Sequence, residues 1–173
     1  MKEMARYGLV LSLICVVASA SLALVNRITK PRIIAQARAE EEASLKEVMP
    51  EAIRFEAVKS GGSVLYYKAY GPDAKIIGAA FKAAHKGYSS VVETMVGMKI
   101  DGTICAIKVV SQNETPGLGA RISEPSFAGQ FKNKDIDLDG VQAITGATIS
   151  SRAVIDAVKE KAREIEGLIK DAR

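Results

Sequence analysis

Tryptophan is absent from this 173-residue sequence, histidine occurs once and cysteine twice. A lone His85, with no second His or Cys at ligand spacing, disfavours a metal-centred function. Cys15 lies in an apolar run and Cys105 in a strand-like segment, so a disulfide framework is not expected. Proline is scarce at 5 residues, and with 48% hydrophobic and 25% charged residues the composition is globular, neither disordered nor collagen-like. The length allows a single core and excludes a large multidomain enzyme. A surplus of one charge sign is also lacking. The net +4 divides into 7 Lys/Arg and 5 Asp/Glu up to Pro50, and 17 and 15 beyond it. Signs are interspersed in both parts, so no basic face marks a nucleic-acid partner.

What the sequence does have is one long apolar run. Tyr7 to Val25, YGLVLSLICVVASASLALV, contains no charge, proline or glutamine, and is flanked by Lys2 and Arg6 before and Arg27 and Lys30 after. At 1.5 Å per residue such a run reaches about 30 Å, the thickness of a bilayer's hydrocarbon core. Buried core helices are seldom apolar for so long. A cleavable signal peptide is the closer rival, because Lys2 and Arg6 form a basic start and Ala18-Ser19-Ala20 has the small-x-small form of a cleavage site. Leu22 to Val25 carry the apolar run past that point, which favours a retained anchor. A lipoprotein reading fails, since Ile14 rather than a small residue precedes Cys15. The expected organisation is a cytoplasmic N-terminus over 1–6, a transmembrane anchor over 7–25, a stalk helix or linker over 26–50 and a folded domain over 51–173. Counted alone, two Lys/Arg before the span and Arg27, Lys30, Arg32 and Arg38 after it would put that domain in the cytoplasm.

Pro31 fits at or just before a helix start, and the following segment predicts a helix with Ile33, Ile34, Ala37, Leu45 and Val48 as a weak apolar stripe. Beyond Gly61-Gly62-Ser63 the period shortens. Strands are expected over 64–70, 76–84, 91–100 and 103–110, the last two joined by Asp101-Gly102, a strong hairpin signal. A helix is expected near Pro125 to Phe131 and a clear one from Ser151 to Ile169, where Val154, Ile155, Val158, Ala162, Ile165, Leu168 and Ile169 recur at helical spacing. The fold class is α+β: an antiparallel sheet packed by helices, preceded by one N-terminal transmembrane helix.

Two loops carry the candidate chemistry. In Asn113-Glu114-Thr115-Pro116-Gly117-Leu118-Gly119 the glycines allow close backbone approach to a flat ligand and Pro116 stiffens the turn. An ordinary strand-to-helix loop has the same composition. In Ile144-Thr145-Gly146-Ala147-Thr148-Ile149-Ser150-Ser151 small residues and hydroxyls precede a helix, where free N–H groups and the helix dipole suit a phosphate. A plain cap by Ser150 or Ser151 would explain the same letters. No Walker lysine or Gly-rich dinucleotide spacing is present.

These residues resemble a known family. Thr145-Gly146-Ala147-Thr148 is similar to the S/T-G-A-T flavinylation motif of the FMN-binding domain in the RnfG subunit of Rnf complexes and the NqrC subunit of the sodium-pumping quinone reductase. Glu114 to Gly119 resembles the E-T-P-G-L-G loop of that domain, and Gly87-Tyr88-Ser89, Val96-Gly97 and Asp101-Gly102 resemble its intervening segments. The short chain is closer to the RnfG branch. The resemblance implies that 51–173 is an FMN-binding domain in which Thr148 carries FMN through a phosphoester. Thr145, Gly146 and Ala147 would shape the turn read by a flavin transferase. Glu114, Thr115, Gly117, Leu118 and Gly119 would line the isoalloxazine, with Pro116, Ile149 and Ser150 completing the cofactor-binding set. The transferase pattern often has Asp six residues before the acceptor, where Gln142 stands; Asp139 is out of register.

The implied function is that of an electron carrier, without catalytic residues of its own, in a membrane-bound ion-translocating ferredoxin:NAD oxidoreductase complex. Its partners would be the other subunits, the flavin transferase and membrane lipid, and no nucleic acid. The implied location is the cytoplasmic membrane, single-pass, with the flavin domain on the extracytoplasmic side, against the Lys/Arg count. The alternative is a membrane-anchored sensory, regulatory or assembly module without electron relay.

Overall fold

The computed structural model describes residues 2–171, and the chain divides into two compact units after Glu42. The first is wholly helical, part of α1 (Lys2–Val48). Within Arg6–Val48 an 18-residue window has a mean hydropathy of 2.5 and none of it is buried. Leu9, Leu11, Leu13, Ile14, Val16 and Val17 are all exposed. A contiguous apolar surface of this kind is unfavourable in water, and the helix is long and apolar enough to cross a membrane. Two of its hydroxyls are returned to the helix itself, Ser21 donating to the Val17 carbonyl at 2.8 Å and Thr29 to that of Val25 at 2.9 Å, which suits an apolar surrounding.

No second helix starts at Pro31, contrary to the sequence expectation. The proline lies inside α1, where its ring costs one i→i−4 bond without ending the helix. Of the weak apolar stripe expected there, Ile33 and Ile34 are exposed while Leu45 and Val48 are buried.

The second unit begins at Ala43 and is built on a five-stranded antiparallel meander in sequential order. Its strands are β1 (Arg54–Ser60), β2 (Ser63–Tyr70), β3 (Ile76–Lys86), β4 (Val91–Lys99) and β5 (Ile104–Ser111). The Asp101-Gly102 hairpin forms as expected. Lys99 donates to the Thr103 carbonyl at 2.8 Å and Gly102 takes a φ of +88°, a conformation glycine adopts without a Cβ penalty. β1 has no counterpart among the expected strands. It is the exposed edge, anchored by the Arg54 guanidinium 4.4 Å over the Tyr70 ring and by the Tyr70 hydroxyl donating to Glu56 at 3.0 Å.

Strand alternation separates two cores. On one face Phe81, Val92, Val96, Met98, Ile104 and Ile107 meet α3 (Thr148–Asp171), through Val154, Val158, Ala162 and Ile165. The short helix α2 (Pro125–Ala128) and a following 3₁₀ turn close this core with Phe127 and Phe131 edge to face, 5.4 Å between centroids. The helix expected over 125–131 is thus split in two. On the other face Ala69, Ala80 and Met95 receive Leu45, Val48 and Met49. A Cβ on Gly97 would collide with the Val48 carbonyl, so glycine there lets the chain end of α1 lie against the strand. Residues 43–50, expected as stalk, therefore lie within the globular unit.

Candidate functional site

An open cleft of about 500 Å³ lies where three connections converge: the β3–β4 turn, the segment after β5 and the start of α3. Tyr88 comes from the first; Glu114, Thr115, Leu118 and Gly119 from the second; Gly146 to Ser150 from the third. Nine of the twelve residues expected at the site thus meet at one place: Glu114, Thr115, Leu118, Gly119, Gly146, Ala147, Thr148, Ile149 and Ser150. The wall is mixed. Leu118, Ile149 and Tyr88 are exposed large side chains, while Glu114 and Ser150 are buried.

Pro116, Gly117 and Thr145 do not line the cleft; they build the turns that shape it. Leu118 N–H donates to the Thr115 carbonyl at 3.2 Å with Gly117 at φ +76°, and Ala147 N–H to that of Ile144 at 2.9 Å with Gly146 at φ +83°. A positive φ at the third position of a turn is the requirement that selects glycine. Gly119 lines the cleft and has a second use. A Cβ there would sit 2.7 Å from Ser150 Oγ and 2.9 Å from Glu114 Cβ, so its bare backbone accommodates two protein side chains.

Thr148 is the first residue of α3, three positions before the start expected from periodicity. The first i→i−4 bond of the helix runs from Ser151 N–H to the Ala147 carbonyl at 2.9 Å. The amides of Thr148, Ile149 and Ser150 therefore precede the bonded ladder, at the positive end of the helix dipole. Thr148 is exposed, and its hydroxyl makes no hydrogen bond among the described residues. Neither serine caps the helix. Ser151 Oγ donates to the Ala147 carbonyl at 2.8 Å and accepts from Ile144 N–H at 3.0 Å, locking the turn before Thr148.

Ser150 donates instead to Glu114 Oε2 at 2.6 Å. The same carboxylate accepts from the backbone N–H groups of Tyr88 at 3.2 Å, Ser89 at 3.0 Å and Ser90 at 2.9 Å, and from Ser90 Oγ at 3.2 Å. Burial alone would push its pKa up; the bonds from Ser150, Ser90, Ser89 and Tyr88 outweigh it and hold the carboxyl below its ordinary value. Gly87 leaves the room, since a Cβ there would stand 2.7 Å from Glu114 Oε1. Glu114 thus ties together the three segments that form the cleft. Sequence reasoning does not single out Tyr88 as a site residue; its signal is an aromatic next to glycine in the short connection between two strands.

Gln142 is exposed, and its backbone is held on both sides by one amide side chain: its N–H donates to Gln130 Oε1 at 2.8 Å and its carbonyl accepts from Gln130 Nε2 at 3.3 Å. His85 lies exposed on β3, outside the cleft lining.

Comparison with known proteins agrees with this arrangement. Residues 87–163 match the model of the FMN-binding domain and residues 1–48 that of the RnfG N-terminal region. The chain is 34% identical to a subunit of the proton-translocating ferredoxin:NAD(+) oxidoreductase complex of Clostridium ljungdahlii, over 90% of its own length and 88% of that protein. It is 35% identical to a subunit of the ion-translocating oxidoreductase complex of Methanosarcina acetivorans, over 91% and 92% respectively. Shewanella oneidensis NqrC has the same fold, with a TM-score of 0.55 at 21% identity over 72% of this chain and 74% of that one. The chain belongs to the RnfG family, whose members are subunits of ion-translocating oxidoreductase complexes.

Proposed function

We propose that this chain is an electron carrier whose FMN is joined by a phosphoester to the Thr148 hydroxyl, acting within a membrane-bound ion-translocating ferredoxin:NAD oxidoreductase complex. The observation that carries this reading is the position of Thr148: an exposed, unbonded hydroxyl on the first residue of a 24-residue helix, at a cleft of ligand size. The residues present fit the group. Amides of Thr148, Ile149 and Ser150 have no acceptor among the described residues and suit the single negative charge of a phosphodiester, which the helix N-terminus stabilises by about 0.3–1 kcal/mol. The covalent bond supplies retention that so small an electrostatic gain does not. Leu118, Ile149 and Tyr88 offer apolar and aromatic surface to a flat ring.

When bound, FMN supplies the electron-transfer chemistry. The protein's share is position and polarity. Gly146 turns the chain before Thr148, Ser151 holds that turn, and Glu114 keeps the opposing loop in register with the helix start. Maturation by a flavin transferase would act on the segment around Gln142 to Thr148, which Gln130 and Ser151 hold in a defined conformation. Partners are the other subunits of the complex, as the names of the relatives support, and lipid around the N-terminal helix. The globular unit is proposed to lie outside the cytoplasmic membrane; reporters fused to the C-terminus, active only when exported, would show this, and activity of a cytoplasm-only reporter would refute it.

The deciding experiment compares wild type with Thr148→Ala, each coexpressed with a matching flavin transferase. The wild type should show denaturation-resistant in-gel fluorescence and a mass gain of one FMN less one water, both lost in the variant. Modification of Thr148→Ala, or none in the wild type beside an active transferase, would refute the assignment.

A further inference from the structure

Glu114 is the one charged residue in the cleft lining, and its surroundings decide its protonation. Three of its five partners are backbone N–H groups, which only donate. Ser90 Oγ accepts the Asn113 N–H at 2.8 Å, which directs its own proton to Glu114. Ser150 Oγ completes the shell from the other side of the cleft wall at 2.6 Å. Three backbone donors and two hydroxyls turned toward the carboxylate favour its charged form, so it stands ionised near neutral pH. It is 5% exposed, and none of the ion pairs among the described residues includes it. A buried negative charge thus stands in the wall, held by neutral dipoles and matched by no cation among the described residues.

We infer that Glu114 sets the redox poise of the site: its fixed negative charge lowers the reduction potential of a flavin held at Thr148. The inference rests on the assignment of FMN to that residue. Two-electron reduction of FMN with uptake of one proton adds one net negative charge to the ring system. A charge of the same sign in the adjoining wall opposes that addition, and more strongly than in bulk water because the effective dielectric is lower. Glu114 exchanges no proton and forms no bond in this role. It acts as a positioning residue for the loops and as a permanent field on the space they enclose. Hydrogen bonds spread the charge over Tyr88, Ser89, Ser90 and Ser150 without cancelling it.

The test is a potentiometric titration of the full chain, flavinylated by coexpression with a transferase and reduced with dithionite in the presence of mediators. Glu114→Gln retains the size and one acceptor oxygen but removes the charge, and its midpoint potential should shift upward. Ser150→Ala retains the charge and removes one donor that disperses it, so its potential should stay at or below that of the wild type. A loosened fold would move both variants the same way. An unchanged or lowered potential in flavinylated Glu114→Gln, or a raised one in Ser150→Ala, overturns the inference. Should Glu114→Gln fail to fold, Ser150→Ala decides alone on a stricter criterion: a lowered potential supports the inference, and an unchanged or raised one overturns it. A wild-type chain without the FMN mass overturns the functional reading and this inference together; a flavinylated wild type with the wrong shift overturns this inference only.

Discussion

The two loops that meet at the cleft contain turns of the same build and use their side chains in opposite directions. Thr115-Pro116-Gly117-Leu118 and Ile144-Thr145-Gly146-Ala147 each place a glycine with positive φ at the third position. Around the first, Glu114 and Gly119 are buried, their polar and bare surfaces taken up by other protein segments. Around the second, Thr148 and Ile149 are exposed at the helix start. One loop therefore assembles the cleft and the other presents an exposed hydroxyl at its edge. The difference lies in what each loop faces: the first packs against the β3–β4 turn, whose amides need an acceptor, while the second ends in a helix whose first amides are left for an outside partner.

Deleting the assembling side should have the largest effect. Glu114→Ala leaves three amides and two hydroxyls without their acceptor, which should lower the stability of the full chain in detergent by about 3 kcal/mol, on the order of 10 °C in Tm. Acid should approach the same end in the wild type. A carboxyl whose folded pKa lies below its ordinary value of 4.5 contributes stability that is fully present above pH 4.5 and is lost as the pH falls through the folded value. The slope of stability against pH should therefore steepen below pH 4.5 in the wild type and flatten in Glu114→Ala. Equal melting of variant and wild type at pH 7 would dissolve the distinction between the two loops.

This division of labour is only partly legible in the sequence. The Asp101-Gly102 hairpin and the α3 stripe follow from local rules, since turn type and helical period are properties of a few adjacent residues. A helix start close after Thr148 is legible for the same reason, although periodicity puts it three residues late, at Ser151. The role of Glu114 is not, because its donors Tyr88 to Ser90 lie in a different connection and only the fold makes them neighbours. Gly97 is illegible alone for a similar reason: its bare face is explained by Val48 and Met49, far earlier in the chain. β1 gives no clear signal because an exposed edge strand needs no clean alternation, and α1 runs through Pro31 where local preference argues for a new start.

The finest test of the comparison adds or removes little on each side of the cleft. Gly119→Ala places a methyl 2.7 Å from Ser150 Oγ and 2.9 Å from Glu114 Cβ. Overpacking of this kind costs about 1–3 kcal/mol. Thr148→Ala removes an unbonded, exposed hydroxyl and substitutes a better helix former, so its effect on the unmodified chain should stay within about 0.5 kcal/mol of zero. Thermal melting of the two variants, both made without a transferase so that no flavin contributes, separates the roles. A clear loss for Gly119→Ala beside none for Thr148→Ala assigns construction to the first loop and chemistry to the second. Equal losses would mean that Thr148 is also part of the framework, and its loss of flavin in the variant would then have to be judged against a damaged fold.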